Sequence, residues 1–90
     1  MNYIVYILED QNNKSWYTGF TTNLQKRLKK HNQKEVPYTS KGKNWKLIYC
    51  ELYLNKEDAL GREKFLKSGS GKKFIKKQLC HYLKINRPTV

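Results

Sequence analysis

Hydrophobic and polar residues alternate along the chain in a way that predicts elements in the order β-β-α-β-α-α. Residues 2–8 form a continuous run of β-branched and aromatic residues, which is typical of a strand buried on both faces. Turn-forming residues at 11–14 separate this run from a second short strand over 15–19, so the two strands are expected to form a hairpin. A third strand is predicted over 46–54.

Three further segments carry hydrophobic residues at helical spacing. The first helix is expected over residues 22–32, opened by a capping box in which Thr22 is the cap. The second is expected over 55–68, with the asparagine at its first position as cap. The sequence Gly69-Ser70-Gly71 predicts a break, after which a last helix runs over 72–84.

Length and charge narrow the class of protein. A chain of 90 residues is expected to form one small domain, here residues 1–84 followed by a tail at 85–90. Nineteen Lys and Arg against seven Asp and Glu give a formal charge of +12, which indicates a polyanionic partner such as nucleic acid or an acidic lipid surface. A hydrophobic content of 38% with 13% aromatic residues excludes a disordered chain.

Cysteine spacing and hydropathy favour a soluble protein of a reducing compartment, the cytoplasm. Cys50 and Cys80 lie far apart and lack the spacing of metal ligands, so they are expected to be small buried thiols. The apolar run at 3–8 is too short to span a membrane and lacks a basic leader. Peripheral membrane attachment is disfavoured because the apolar stripe of the last helix is needed for the core.

Arg27 lies on the hydrophobic stripe of its predicted helix. Leu24, Arg27, Leu28 and His31 occupy positions i, i+3, i+4 and i+7, so the guanidinium and the imidazole share one face with two leucines. Because an unpaired charge is costly on such a face, Arg27 requires a partner or a function.

Glu63 repeats this anomaly with the opposite charge. Ala59, Leu60 and Leu66 stand around it on the apolar stripe of the second helix. A buried carboxylate requires a metal, an arginine or several hydrogen bonds. From spacing alone, a buried ion pair with Arg27 and a metal site are both open.

The ordered set of motifs resembles the GIY-YIG nuclease superfamily. Ile4-Val5-Tyr6 stands where the first motif belongs and Tyr17-Thr18-Gly19 where the second does, while Arg27 and Glu63 follow on the matching helices. The match spans roughly residues 2–83. It looks most like the small, single-domain bacterial members, which are related to the GIY-YIG nuclease domain found in the larger excinucleases.

The resemblance implies an α+β fold, a small three-stranded antiparallel sheet flanked by about three helices, and cleavage of phosphodiester bonds with one divalent ion, Mg²⁺ or Mn²⁺. Tyr17 would accept the proton of the attacking water, with Tyr6 orienting it or taking that role, and nearby cations would lower the phenol pKa. Arg27 would stabilise the transition state, and Glu63 would be the only protein ligand of the metal. His31 would contact the phosphate or leaving group, or else serve as a structural imidazole.

The expected substrate is DNA, in repair or recombination in the bacterial cytoplasm, with a protein partner for target choice. The lysines assigned to nucleic-acid binding are Lys26, Lys30, Lys41, Lys43 and Lys72, each of which also fits a solvated surface. Lys72 follows two glycines but lacks Walker spacing, so no nucleotide cofactor is expected. The alternative function is a non-catalytic nucleic-acid-binding module that retains the nuclease fold.

Overall fold

The computed structural model describes residues 1–33 and 44–85 of the chain. The elements are β1 (Tyr3–Asp10), β2 (Trp16–Thr21), α1 (Leu24–Asn32), β3 (Trp45–Tyr53), α2 (Lys56–Lys67), α3 (Gly69–Gln78) and a short 3₁₀ turn at Tyr82–Lys84. The α+β class and the order of the elements are as the sequence predicts.

The sheet has the strand order β2-β1-β3, and both pairings are antiparallel. The first strand is therefore central, and every residue from Val5 to Asp10 is buried. This burial confirms the prediction from the continuous apolar run. The strand extends beyond the predicted end, because Glu9 and Asp10 pair with Lys46 and Trp45 of β3.

The two faces of the sheet carry separate hydrophobic clusters. On one face, Tyr6, Leu8 and Trp45 pack against Leu24 and Leu28 of α1. The cluster on the other face contains Val5, Ile7, Ala59, Leu66 and Ile75, which brings α2 and α3 against the sheet. Alternate residues of the central strand thus point to different helices, as the two-residue period of a strand requires.

The helix caps correct one prediction and confirm another. The cap of α1 is Asn23, whose side-chain oxygen accepts from the backbone N–H of Lys26 at 3.1 Å, so the predicted capping box at Thr22 is wrong by one residue. Asn55 caps α2 as predicted, accepting from the backbone N–H of Glu57 at 2.8 Å. Both caps have the short polar side chain that satisfies a free amide of the first turn.

The predicted break at Gly69-Ser70-Gly71 is wrong, because these residues form the first turn of α3. Ser68 caps this helix and accepts from the backbone N–H of Gly71 at 3.1 Å. A Cβ at Gly71 would lie 2.5 Å from the Cα of Leu66, so the glycine allows α2 and α3 to approach closely. The helix ends at Gln78, earlier than predicted, and a 3₁₀ turn follows.

Cys50 and Cys80 are free thiols, of which Cys50 is exposed and Cys80 half-buried. The prediction of buried thiols is therefore wrong for Cys50, which lies on an edge strand with its side chain outside both hydrophobic clusters. Among the described residues, no helix is both long and apolar enough to span a membrane.

Candidate active site

The hydroxyl of Tyr6 is held between two residues of α1. It lies 2.8 Å from Nε2 of His31, and Nε of Arg27 donates to it at 3.4 Å. Tyr6 is only 1% exposed and His31 is fully buried. The predicted helical stripe therefore does carry Arg27 and His31 inward, and their polar partner comes from the central strand.

Gly19 makes room for this arrangement. It stands directly opposite Tyr6 in the β1–β2 register. A Cβ at this position would collide with the Tyr6 hydroxyl and lie 2.9 Å from Cε2 of Tyr17. None of the described glycines has a positive φ, so Gly19 is required for space and not for an unusual backbone conformation.

Tyr17 completes what we call the tyrosine cluster, defined as Tyr6, Tyr17, Arg27 and His31. Its ring centroid lies 4.7 Å from that of His31 and 6.2 Å from that of Tyr6. Arg27 also interacts with the Tyr17 side chain, which is one cause of the raised pKa of Arg27, after the hydrogen bond to Tyr6. Tyr17 and Arg27 are half-buried, so they form the accessible side of the cluster.

Burial sets the protonation states inside the cluster. It raises the pKa of Tyr6 to about 12, although the hydrogen bond from Arg27 acts in the opposite direction. Burial, followed by the charge of Arg27, lowers the pKa of His31 to about 4. At neutral pH the pair is therefore a neutral phenol and a neutral imidazole. The expectation that Arg27 would lower the phenol pKa is wrong for Tyr6, because desolvation outweighs the cation.

Glu63 stands apart from the hydrogen bonds of the cluster. Its helix α2 packs on the opposite face of the sheet from α1, and its side chain is 20% exposed. The carboxylate pairs with Nζ of Lys67 at 3.3 Å rather than with Arg27, so the hypothesis of a buried Arg27–Glu63 ion pair is wrong. The charge of Glu63 nevertheless reaches the cluster, since it is one of the causes that raise the Tyr6 pKa.

A metal site at this position would depend on Glu63 alone. Within residues 1–33 and 44–85, no three His, Cys, Asp or Glu side chains come together as a ligand set. Magnesium fits one carboxylate because it retains most of its waters. Lys67 is 57% exposed, and an exposed i,i+4 ion pair is worth only about 0.3–0.5 kcal/mol, so a divalent cation can compete for the carboxylate.

The lysines predicted to bind nucleic acid fall into separate places. Lys26 and Lys30 line a shallow groove with Arg27 at the start of α1. Lys72 lines a cavity of about 460 Å³ beside Tyr17. Lys41 and Lys43 lie outside the described residues.

Sequence reasoning missed a polar network around Glu51. Nε and Nη2 of Arg62 donate to the two carboxylate oxygens of Glu51 at 2.8 and 3.0 Å. The hydroxyls of Tyr49 and Tyr53 donate to the same oxygens at 2.5 and 2.6 Å. Burial acts to raise the Glu51 pKa, but these hydrogen bonds overcome it and hold the pKa below its ordinary value. The spacing Tyr-x-Glu-x-Tyr, on one face of a strand, was the available signal.

A second missed residue is Glu9, which is fully buried. Its carboxylate accepts from Nε1 of Trp16 at 3.0 Å and from the hydroxyl of Tyr82 at 2.8 Å. This contact joins the central strand to the 3₁₀ turn 73 residues later. The apolar run before Glu9 gave no indication that the strand continued through a buried carboxylate.

Comparison with known proteins agrees with the sequence motifs. The family model described as the GIY-YIG catalytic domain matches residues 2–78. The UPF0213 protein CPE1444 of Clostridium perfringens is 46% identical over 68 residues, which cover 74% of this chain and 71% of the relative. The UPF0213 protein YazA of Bacillus subtilis is 36% identical over 73 residues, which cover 80% of this chain and 73% of the relative.

A solved structure is similar as well. The solution NMR structure of the UPF0213 protein BH0048 from Bacillus halodurans matches with a TM-score of 0.53 and 36% sequence identity. The match covers 96% of this chain and 88% of that chain. The three-stranded antiparallel sheet with its helices is thus shared with a small bacterial relative.

Proposed function

Because the chain belongs to the GIY-YIG catalytic domain family, which is a family of nucleases, we propose that it is an endonuclease that hydrolyses phosphodiester bonds in DNA with one divalent cation. The observation that carries this proposal is the tyrosine cluster. Side chains from two strands and a helix place two phenols, a guanidinium and an imidazole around Gly19. The net charge of +12 supports a polyanionic substrate.

We assign the proton-accepting role to Tyr17, whose ring is half-buried and borders the cavity beside Lys72. Tyr6 suits this role less well, because it is almost wholly buried and its pKa is raised to about 12. Tyr6 instead orients its neighbours, since it accepts from Arg27 and donates its proton to the neutral His31. His31 has no exposed surface, so it holds Tyr6 in place rather than contacting a substrate.

Arg27 is the residue that would bind the scissile phosphate. Its guanidinium is half-buried and lines the groove at the start of α1 together with Lys26 and Lys30. A fixed planar cation stabilises the charge that builds on phosphate oxygens during cleavage, and its fork matches two oxygens at once. A Mg²⁺ or Mn²⁺ ion held by Glu63 would supply Lewis-acid stabilisation of the same phosphate.

The alternative is a nucleic-acid-binding module without turnover. It is favoured by the ion pair that engages Glu63 and by the neutral state of Tyr6. Such a module would keep the basic surface and bind with a steep dependence on salt. For either function, we propose DNA repair or recombination in the cytoplasm as the setting, with a partner protein that selects the target.

The test is a cleavage assay on nicked, branched and single-stranded DNA with Mg²⁺ or Mn²⁺. Glu63→Ala and Tyr17→Phe are expected to reduce cleavage at least 100-fold relative to the unmodified chain, roughly the range that single catalytic groups contribute. Glu57→Ala is the matched control, because Glu57 is an exposed carboxylate on the same helix. Equal activity in the Glu63 and Glu57 variants would refute the site. Salt-dependent binding without cleavage of any substrate would support the alternative.

A further inference from the structure

Two adjoining cavities meet at the indole of Trp16. The described residues lining the first are Trp16, Tyr17, Thr18, Lys67 and Lys72. Those lining the second are Lys14, Trp16, Lys72, Lys76 and Leu83. Because Trp16 and Lys72 belong to both, the cavities form one continuous path that starts beside Tyr17 and leads away from it.

The indole is fixed in one orientation. Its Nε1 donates to Oε2 of Glu9 at 3.0 Å, and its ring packs against the hydrophobic cluster of α2 and α3. Glu9 is itself held by the hydroxyl of Tyr82. Since the only polar atom of the indole is already engaged with Glu9, Trp16 offers a ligand an apolar aromatic surface and not a hydrogen-bond donor.

The charge around the indole has one sign. The four charged residues among the described lining are Lys14, Lys67, Lys72 and Lys76. Lys14 takes its place with a φ of 63°, in the left-handed region where glycine or asparagine is usual. Fixed aromatic surface between lysines suits a ligand that is both flat and anionic, and successive nucleotides of a polynucleotide strand have these properties.

We infer that Trp16 is a stacking platform for an unpaired nucleobase, on a strand whose phosphates run along the four lysines next to Tyr17. The inference rests on the proposed function for the identity of the strand as substrate, and it adds a preference for strand structure. A base within a duplex is covered on both sides by its neighbours, so it presents no face to an indole. The bound segment next to the cutting site is therefore unpaired, as in a single strand, a flap or a fork.

The test measures binding without cleavage, in the presence of a chelator. Trp16 and Trp45 are the only tryptophans in the chain, so Trp45→Phe leaves Trp16 as the single indole reporter. An oligothymidylate is titrated against an abasic oligonucleotide with the same number of phosphates. We expect the oligothymidylate to quench the Trp16 fluorescence and to bind about 10-fold more tightly, the size of effect that one stacked base contributes. Equal quenching and equal affinity would overturn the inference.

Variants separate stacking from packing. Trp16→Leu is expected to abolish the preference for the base-bearing strand, whereas Trp16→Phe, which retains an aromatic face, is expected to keep it. Circular dichroism confirms that both variants fold, and the unmodified chain with both tryptophans provides the same comparison if Trp45→Phe does not. Loss of the preference in folded Trp16→Phe and Trp16→Leu alike would contradict stacking.

The lysines have a matched control on the same helix. Lys72→Ala/Lys76→Ala removes two lysines that line the cavities, and Lys73→Ala/Lys77→Ala removes two that line neither. The first pair is expected to lose about 10-fold more affinity for the oligothymidylate than the second, because only its charges lie beside the bound phosphates. Equal losses would mean that only diffuse charge attracts the strand.

These outcomes are independent of the proposed catalysis. If the base stacks on Trp16 but no DNA is cut, the endonuclease proposal fails and the stacking inference stands. If DNA is cut but binding ignores the base, the stacking inference fails and the endonuclease proposal stands.

Discussion

The Tyr6 hydroxyl and Nε2 of His31 form a buried hydrogen bond of 2.8 Å between the central strand and the last turn of α1. Both side chains are nearly inaccessible, so each depends on the other for its polar atom. A buried polar atom without a partner costs more than the hydrogen bond itself contributes. This asymmetry leads to the first prediction.

Tyr6→Phe is expected to destabilise the fold by about 1–3 kcal/mol, because it leaves Nε2 of His31 buried without its partner. Urea unfolding monitored by circular dichroism gives the free energy of unfolding. The double variant Tyr6→Phe/His31→Leu removes both polar groups and should recover part of the loss. A double variant less stable than the sum of the single losses would contradict a shared bond.

Stability should fall as the pH drops from about 6.5 to about 4. The pKa of His31 is about 4 in the folded chain against 6.5 when unfolded, so between these values the unfolded chain binds the extra proton. The stabilisation is therefore complete above the unfolded pKa and is lost as the pH falls through the folded one, by roughly 3 kcal/mol in total. His31→Gln should flatten this part of the profile in urea unfolding at a series of pH values. An unchanged slope would refute the assignment to His31.

Gly19→Ala should destabilise the fold by about 1–3 kcal/mol, because its Cβ would collide with the Tyr6 hydroxyl. Gly61→Ala is the matched control, since a Cβ at this exposed helical position meets nothing within 4 Å. The control should stabilise the fold by up to about 1 kcal/mol through helix propensity. Thermal unfolding measures both changes, and a neutral Gly19→Ala would disprove the packing argument.

Arg62→Ala should cost about 2–4 kcal/mol, because it removes both hydrogen bonds from the guanidinium and leaves the partly buried Glu51 carboxylate without its cation. Arg62 also stacks on Phe74, with 4.6 Å from Cζ to the ring centroid, so lysine should restore only part of the loss. Lys67→Ala breaks the exposed pair with Glu63 and should cost less than about 0.5 kcal/mol. Similar losses for Arg62→Ala and Lys67→Ala in urea unfolding would contradict this ranking.

Much of the candidate site follows from local spacing. The helical period alone places Arg27 and His31 inward, and the motif order pairs them with Tyr6 and Tyr17. The protonation state of Tyr6 could not be predicted, because it depends on how deeply the fold buries the hydroxyl. The partner of Glu63 was equally open, since spacing does not distinguish Arg27 from Lys67 one turn further along the same helix.

The sequence by itself determined the order of the elements, the burial of the first strand on both faces and the family. These features depend on the period of hydrophobic residues and on short motifs, both of which are local properties of the chain. Only the tertiary structure decided that Glu9 is enclosed by Trp16 and Tyr82 and that Arg62 pairs with Glu51. Such contacts join residues far apart in the chain, and their geometry and desolvation exist only once the helices have packed on the sheet.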